Sequence, residues 1–464
     1  LRRQRQMCIR DSMYTIGAPR QEVQHHLGKL NYTRELSDDA SLSLQYAFQL
    51  NHRKEFDLRR GALENVAALD LTLVTHSVNA DWKKESGDNT YKAGASAAYQ
   101  HNDASPATGI RPLIPNYNKS DAGVYAIASH RFSSTLSGEA GVRYDFSHVE
   151  AQKYYQVSRW NDLGYNDGSF DHFIKEDLVT QYYTEPKFTY HNLSASLGLR
   201  KQLTDAIDLM GNVSLAMRNP NPSELFSDGL HHSNATIELG SLRTKKEESV
   251  KTSVTLLKSS GKFTFELTPY VNSISNFIYL QPTNLEYTIR GSFPVYRYKQ
   301  TNALMAGTDL HIGYNLTENL NYGLNAAYIY AQNTRDNLPL VDMPPANFTN
   351  TIRFTKKEWH NFFAELRSET VCRQWRYPNY NFYADIPQTS GSVSTYVDIS
   401  TPPPAYQLFH VSTGAQFALG KTTASVNLSA FNLFNTTYRD YLNRQRLYVD
   451  EMGRNIQLQL KLTY

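Results

Sequence analysis

Hydrophobic and polar residues alternate with a period of two in many separate stretches of this chain. Over 41–50, Leu42, Leu44, Tyr46, Phe48 and Leu50 share one face, and Ser41, Ser43, Gln45, Ala47 and Gln49 the other. Over 249–256, Val250, Thr252, Val254 and Leu256 alternate with Ser249, Lys251, Ser253 and Thr255. The same pattern runs through 409–419 and 424–430. It is clearest at 455–464, where Ile456, Leu458, Leu460, Leu462 and Tyr464 oppose Asn455, Gln457, Gln459, Lys461 and Thr463. Strict alternation predicts strands with one apolar face. About seventeen are expected, near 22–35, 41–51, 66–78, 91–102, 121–132, 135–148, 187–201, 206–217, 247–258, 262–276, 295–316, 319–332, 347–357, 360–372, 407–419, 422–434 and 453–464.

Alternation alone does not say whether the apolar face packs a core or meets lipid. The connections do. Short ones (36–41, 132–136, 203–206, 258–262, 316–320, 356–360, 419–422) alternate with long ones, near 103–120, 149–186, 219–246, 277–294, 333–346, 373–406 and 435–452. Short turns at one end and long loops at the other describe a transmembrane antiparallel β-barrel, an all-β fold. Most strands, at about 10–14 residues, also suit a tilted membrane crossing.

Composition changes the picture little. Mean hydropathy is −0.53, but averaging over two faces hides a barrel's apolar half. No stretch approaches the ~18 apolar residues of a membrane helix. Aromatic residues make up 12%, with 32 Tyr and 21 Phe, which suits interfacial girdles. A net charge of +3 implies no polyanionic partner, so no nucleic acid is expected. Residues 1–12, LRRQRQMCIRDS, are basic and patternless, without the apolar core of a signal peptide; they read as a non-native scar. Setting Cys8 aside with them leaves Cys372 alone, so no internal disulfide is expected. The first strand enters a short turn and the last also descends. An odd count conflicts with the even number usual in closed bacterial barrels, so a fragment missing upstream strands is expected.

Several segments, in order, resemble TonB-dependent receptors. NLSAFNLFNTTYRDYLNR (427–444) followed by GRNIQLQLKLTY (453–464) resembles that family's last two strands. MRNPNPSELFSDGLHH (217–232) with IELGSLRTKKE (237–247) resembles a loop between two mid-barrel strands. YKQTNALMAGTDLHIGYNL (298–316) resembles a strand that usually carries Gly-Xaa-Glu, here Gly307-Thr308-Asp309, and Met343-Pro344-Pro345 resembles a Pro-rich strand entry. The resemblance covers about 20–464. It implies that residues 13–464 are part of a 22-stranded barrel, strands six to twenty-two, with plug, TonB box and signal peptide encoded upstream. It further implies a Gram-negative outer-membrane location beside lipopolysaccharide, energy from a TonB–ExbB–ExbD complex, and import of a metal chelate: iron–siderophore, haem or zinc. No intrinsic cofactor is expected.

No HExxH, Walker, GxSxG or CxxC motif is present, so no enzyme activity is expected. The informative loop is 219–246, with Glu224, Asp228, His231, His232, Asn234 and Glu238. Imidazole and carboxylate ligate borderline metals, and His ligates haem iron. In haem and zinc receptors a His of this loop takes part in capture, which implies His231 or His232 here. Haem receptors flank the loop with Phe-Arg-Ala-Pro and Asn-Pro-Asn-Leu; this chain has Met217-Arg218-Asn219-Pro220 and Gly240-Ser241-Leu242-Arg243, a departure from that pattern. The competing reading makes these residues loop hydrogen-bonders, with Asn219-Pro220-Asn221-Pro222 setting the turn. Candidate ligand contacts are His231, His232, Glu224, Asp228 and Arg218, with Tyr154 and Trp160 in the aromatic loop 149–186 and Arg376 in 373–406. Arg376 suits an anionic ligand or lipopolysaccharide phosphate equally. The competing functional class is a passive porin.

Overall fold

The computed structural model describes residues 17–59, 61–288, 291–388 and 391–464. The expected scar at 1–12, with Cys8, lies outside them. Among the described residues there are seventeen strands of nine residues or more: β1 Arg20–Ser37, β2 Ala40–Phe56, β3 Leu69–Ser86, β4 Asn89–Ala104, β5 Asn116–Ser133, β6 Leu136–Gln156, β7 Lys187–Thr204, β8 Ile207–Arg218, β9 Glu247–Lys258, β10 Phe263–Thr288, β11 Gly291–Asn315, β12 Leu320–Asn333, β13 Asn347–Lys356, β14 Phe362–Val371, β15 Tyr406–Leu419, β16 Thr422–Phe431 and β17 Asn455–Thr463. Each pairs antiparallel with the next in one continuous sheet. The expected count and the short-versus-long order of connections hold, but several strands run further than expected, and the long connection 373–406 carries a hairpin of its own, Phe382–Gln388 against Gly391–Val397.

Residues 277–294, expected as a long loop, are mostly strand. β10 and β11 pair from Phe263↔Tyr314 out to Thr288↔Gly291. Register shifts at Ile274/Phe277 and Pro282/Asn284 break the alternation there, because each bulge moves the following side chains to the other face. β6, expected to stop near 148, continues to Gln156, and β3, expected to stop near 78, continues to Ser86. The β3 extension is polar because Lys83, Lys84 and Glu85 lie at the short-turn end, below the apolar band.

The register shows which face is apolar. Across β2–β3, Leu44↔Ala80 and Tyr46↔Val78 share a face; across β16–β17, Leu428↔Leu458 and Val426↔Leu460 do. This face is uncovered: Leu458 is 74% exposed and Leu460 64%. A water-soluble sandwich would bury it against a second sheet. Here the uncovered apolar face suits lipid instead. The opposite face is polar and self-paired. Arg143 meets Asp145 at 2.6 Å, Arg353 meets Glu365 at 2.7 Å, Tyr125 donates to Asp81 at 2.6 Å, and Arg53 pairs with Glu55.

Seventeen strands at about 4.8 Å spacing would make a flat sheet roughly 80 Å wide. Yet connections from distant strands meet at the long-loop end. His232, between β8 and β9, approaches Asp57, between β2 and β3, at 3.4 Å. Arg444, between β16 and β17, approaches Glu238 at 3.6 Å. The sheet therefore curls. The largest buried apolar cluster lies at this end, where Tyr155, Trp160, Tyr165, Leu225 and Phe226 pack together.

Candidate functional site

The long-loop end is organised around the segment between β8 and β9. Asn219-Pro220-Asn221-Pro222 ends the strand and starts a helical turn, Pro222–Phe226. Asn221 caps it: its side chain accepts from the Glu224 backbone N–H at 3.0 Å, and the Glu224 carboxylate accepts from the Asn221 N–H at 2.8 Å. This reciprocal capping box satisfies two helix-end donors. Arg218, the last residue of β8, donates to Glu224 and reaches Glu247 of β9 at 2.7 Å. The chain then forms a small hairpin, Asp228–His231 against Thr236–Leu239. Its second strand pairs in parallel with β11, Ile237↔Val295 through Leu239↔Arg297.

Asp228 is the hub. Its side chain is 1% exposed and faces three cations: Arg111 at 3.3 Å, Arg159 at 3.4 Å and Lys153 at 3.7 Å. These come from the β4–β5 connection, a short helix Val157–Asp162 and the outer end of β6. Lys153 also donates to the Phe226 carbonyl at 2.6 Å and sits over the Tyr155 ring. Burial pulls its pKa down to about 8 despite Asp228. Arg159 reaches Glu286 of the β10–β11 hairpin at 2.7 Å, and Arg297 reaches Asp162 at 2.6 Å. One buried carboxylate thus holds three segments around the hairpin, and Arg159 extends the network to a fourth. A buried charge is tolerated only when it is paired.

A second cluster sits around Glu238, which accepts from His231 at 2.9 Å and faces Arg444 at 3.6 Å. Arg444 lies 5.3 Å from the Tyr296 ring centre. Arg446 approaches Asp342 at 3.7 Å. Burial raises the pKa of Asp342 and the two arginines oppose it.

The candidate residues divide on this geometry. Asp228, Glu224 and Trp160 are internal. Trp160 is 2% exposed and packs edge-on against Tyr155, Tyr165 and Tyr182. The aromatic loop folds on itself here rather than presenting this ring as a rim. Arg218 is occupied by Glu224 and Glu247. Arg376 lies over the Tyr330 ring at 3.8 Å and donates to Gln332 at 2.5 Å. Tyr154 is half-exposed beside Tyr183. His231 and His232 are brought to the hairpin tip but face different partners, Glu238 and Asp57. Among the described residues no three His, Cys, Asp or Glu side chains gather as a metal-holding group.

Arg111, Lys153, Arg159, Arg444 and Tyr296 were not singled out from the sequence. They are spread over four segments, with Lys153 and Arg159 sharing one, and only Asn221-Xaa-Xaa-Glu224 carried a local signal, that of the capping box.

A family model described as "TonB dependent receptor-like, beta-barrel" matches residues 9–447. Among solved structures, the fold is similar to the copper transporter OprC (TM-score 0.70, 14% identity, covering 96% of this chain and 66% of that one). It is also similar to the FrpB iron transporter from Neisseria meningitidis, F5-1 variant (0.66, 16%, 95% and 64%). A third is a double mutant of the Serratia marcescens hemophore receptor HasR, in complex with its hemophore HasA and heme (0.61, 13%, 95% and 65%). The chain spans less than two thirds of the length of each. No curated protein matches it in sequence.

Proposed function

Because the chain belongs to the TonB-dependent receptor β-barrel family, we propose that it is the barrel part of an outer-membrane active importer of a scarce metal chelate: iron–siderophore, haem, zinc or copper. Residues from about 13 onward are assigned to a 22-stranded barrel, whose plug gates the path and couples to TonB–ExbB–ExbD. The observation that carries this reading is the family match to 9–447, together with loops tied across the long-loop end. Structures of copper, iron and haemophore–haem receptors share the fold. Iron and copper are the metals these neighbours favour; zinc rests on the imidazole pair alone.

Ligand contact is assigned to His231, His232, Tyr154 and Arg376, with Arg444 and Tyr296 added. A chelate with exposed carboxylate or phenolate oxygens would compete with Glu238 for Arg444. Binding there would break the Glu238–Arg444 contact and loosen the loop from 432 to 454, which keeps its Arg446–Asp342 tie. Such differential contact is what a ligand needs to shift a loop equilibrium.

The test is deletion of the full gene with growth measured on limiting iron chelates, haem, zinc and copper. Binding of the same set to the purified receptor is measured in parallel, with His231→Ala, His232→Ala and Arg444→Ala. Growth is expected to fail on one source, and that ligand's affinity to drop about tenfold or more (~1.4 kcal/mol) in at least one variant. Unchanged growth on every source, with ohmic conductance through the protein, would establish a passive porin instead. Retained affinity in all three variants would remove the site assignment and leave the import reading standing.

A further inference from the structure

The uncovered apolar face is not uniform. Near the short-turn end of β3–β6 it sinks into a groove of about 550 Å³. The register sets out its floor and walls. One row across the four strands is Trp82, Ala93, Ala126, Val142; the next, toward the turns, is Lys84, Tyr91, Ala128, Ala140. The alanines leave the floor low while Trp82, Tyr91 and Val142 stand beside it, and the lining is almost wholly apolar. Below Ala128, His130 sits opposite Asn89 on the same face and is hydrogen-bonded to it at 2.8 Å. Lys84 is half-exposed beside Tyr91 and its ammonium reaches one carboxylate, Asp39, at 4.0 Å, a loose surface pair. An apolar slot thus opens toward the turn-side rim at a cation and a histidine.

We propose that this groove is a binding site for one phospholipid of the periplasmic leaflet, its acyl chain on the alanine floor and its phosphate at Lys84 and His130. The occupant follows from position and charge. Short turns mark the periplasmic end of an outer-membrane barrel. The groove lies within a few residues of those turns, at 87–88 and 134–135. Apolar lining along its length matches an acyl chain, and a cation at the turn-side rim matches a phosphate held just outside the hydrocarbon. A flat lipid-facing wall holds no particular lipid, since one chain replaces another. A recess shaped by Trp82 and Tyr91 removes that equivalence. The inference rests on the membrane reading of the sheet and not on which chelate is carried, so a failed uptake experiment leaves it intact.

The test uses the full receptor, purified from outer membranes, exchanged through detergent and weighed by native mass spectrometry. Wild type is expected to keep one phospholipid per barrel. Ala126→Leu with Ala128→Leu fills the floor with apolar atoms that lipid tolerates, and is expected to cut retention about tenfold, equivalent to ~1.4 kcal/mol. Lys84→Glu leaves the groove open and is expected to lower retention of phosphatidylglycerol more than that of phosphatidylethanolamine. Three results would overturn the proposal: no retained phospholipid in wild type, retention unaffected by both variants, or lipopolysaccharide in place of phospholipid. A doubled mass lost on filling the floor would assign the groove to a second copy instead. If the double-leucine variant fails to insert, Lys84→Glu decides alone.

Discussion

Asp228→Ala should loosen the loop assembly without unfolding the barrel. The substitution removes the one carboxylate that Arg111, Lys153 and Arg159 share. The three cations do not suffer equally. Arg111 is about a third exposed and can turn to water. Arg159 keeps Glu286 and Asp162. Lys153 is 4% exposed and keeps only the Phe226 carbonyl and the Tyr155 ring face. Breaking a buried ion pair from one side costs about 3–5 kcal/mol. With two of three cations partly compensated, the low end applies, about 3 kcal/mol. That is a roughly hundredfold rise in local opening. Hydrogen exchange of the purified receptor reads it directly, since loops open locally at their own free energy. Segments 157–173 and 222–242 should exchange roughly a hundredfold faster, with β14–β17 unchanged. Adding Lys153→Met removes the stranded charge and should recover about 1–3 kcal/mol, the coupling expected of contacting residues. Unchanged exchange in Asp228→Ala, or simple additivity in the double variant, would refute the hub.

The buried lysine also gives a pH dependence. Its pKa is about 8 in the folded loops against 10.5 when exposed. Below 8 both states carry the proton and the folded one bears the full cost of burying it. Between 8 and 10.5 only the folded state sheds it, so protection should rise with pH, by up to about 3 kcal/mol. Cleavage of 157–173 by an alkaline-stable protease should slow over that range, and Lys153→Met should flatten the slope. Gly240→Ala should disturb the same assembly, because a Cβ there would stand 2.7 Å from the Leu225 carbonyl carbon and the Phe226 nitrogen. Faster exchange in 222–242 is the expected readout. On the sheet, Leu428→Arg should cost about 2–4 kcal/mol in refolding into bilayers, while Asn427→Arg, facing the other way, should cost far less. Equal costs would contradict the assignment of faces.

The strands were legible because one face had to be apolar along its whole length. Where that demand lapses, so does the signal. Beyond Ile274 the β10–β11 hairpin rises clear of the band, takes up two bulges and carries Pro282 and Pro294. Each of these ordinarily argues against a strand. The loop segment was harder for a different reason. Its acidic residues read as donors offered to a ligand, yet Glu224 closes a capping box and Asp228 is enclosed by cations from positions 111, 153 and 159. No spacing within 219–246 could have announced partners so distant in the chain. Trp160 is the same case among the aromatics, since composition does not distinguish a rim from a loop with its own core.

On the import reading proposed above, this geometry narrows where a chelate would act. Asp228 and Trp160 are committed to holding the cover together, so a ligand that reached them would have to dismantle it. Glu238 is different. It is shared between His231 and Arg444, whose ring and guanidinium come from opposite parts of the sheet. An incoming anionic chelate needs only to take Arg444 from a carboxylate 3.6 Å away. The exchange gives Arg444 a new oxygen anion and leaves Glu238 its His231 contact at 2.9 Å, whereas opening the hub at roughly 3 kcal/mol strands Arg111, Lys153 and Arg159 together. The loops should therefore yield first at Glu238–Arg444, with the Asp228 assembly remaining closed.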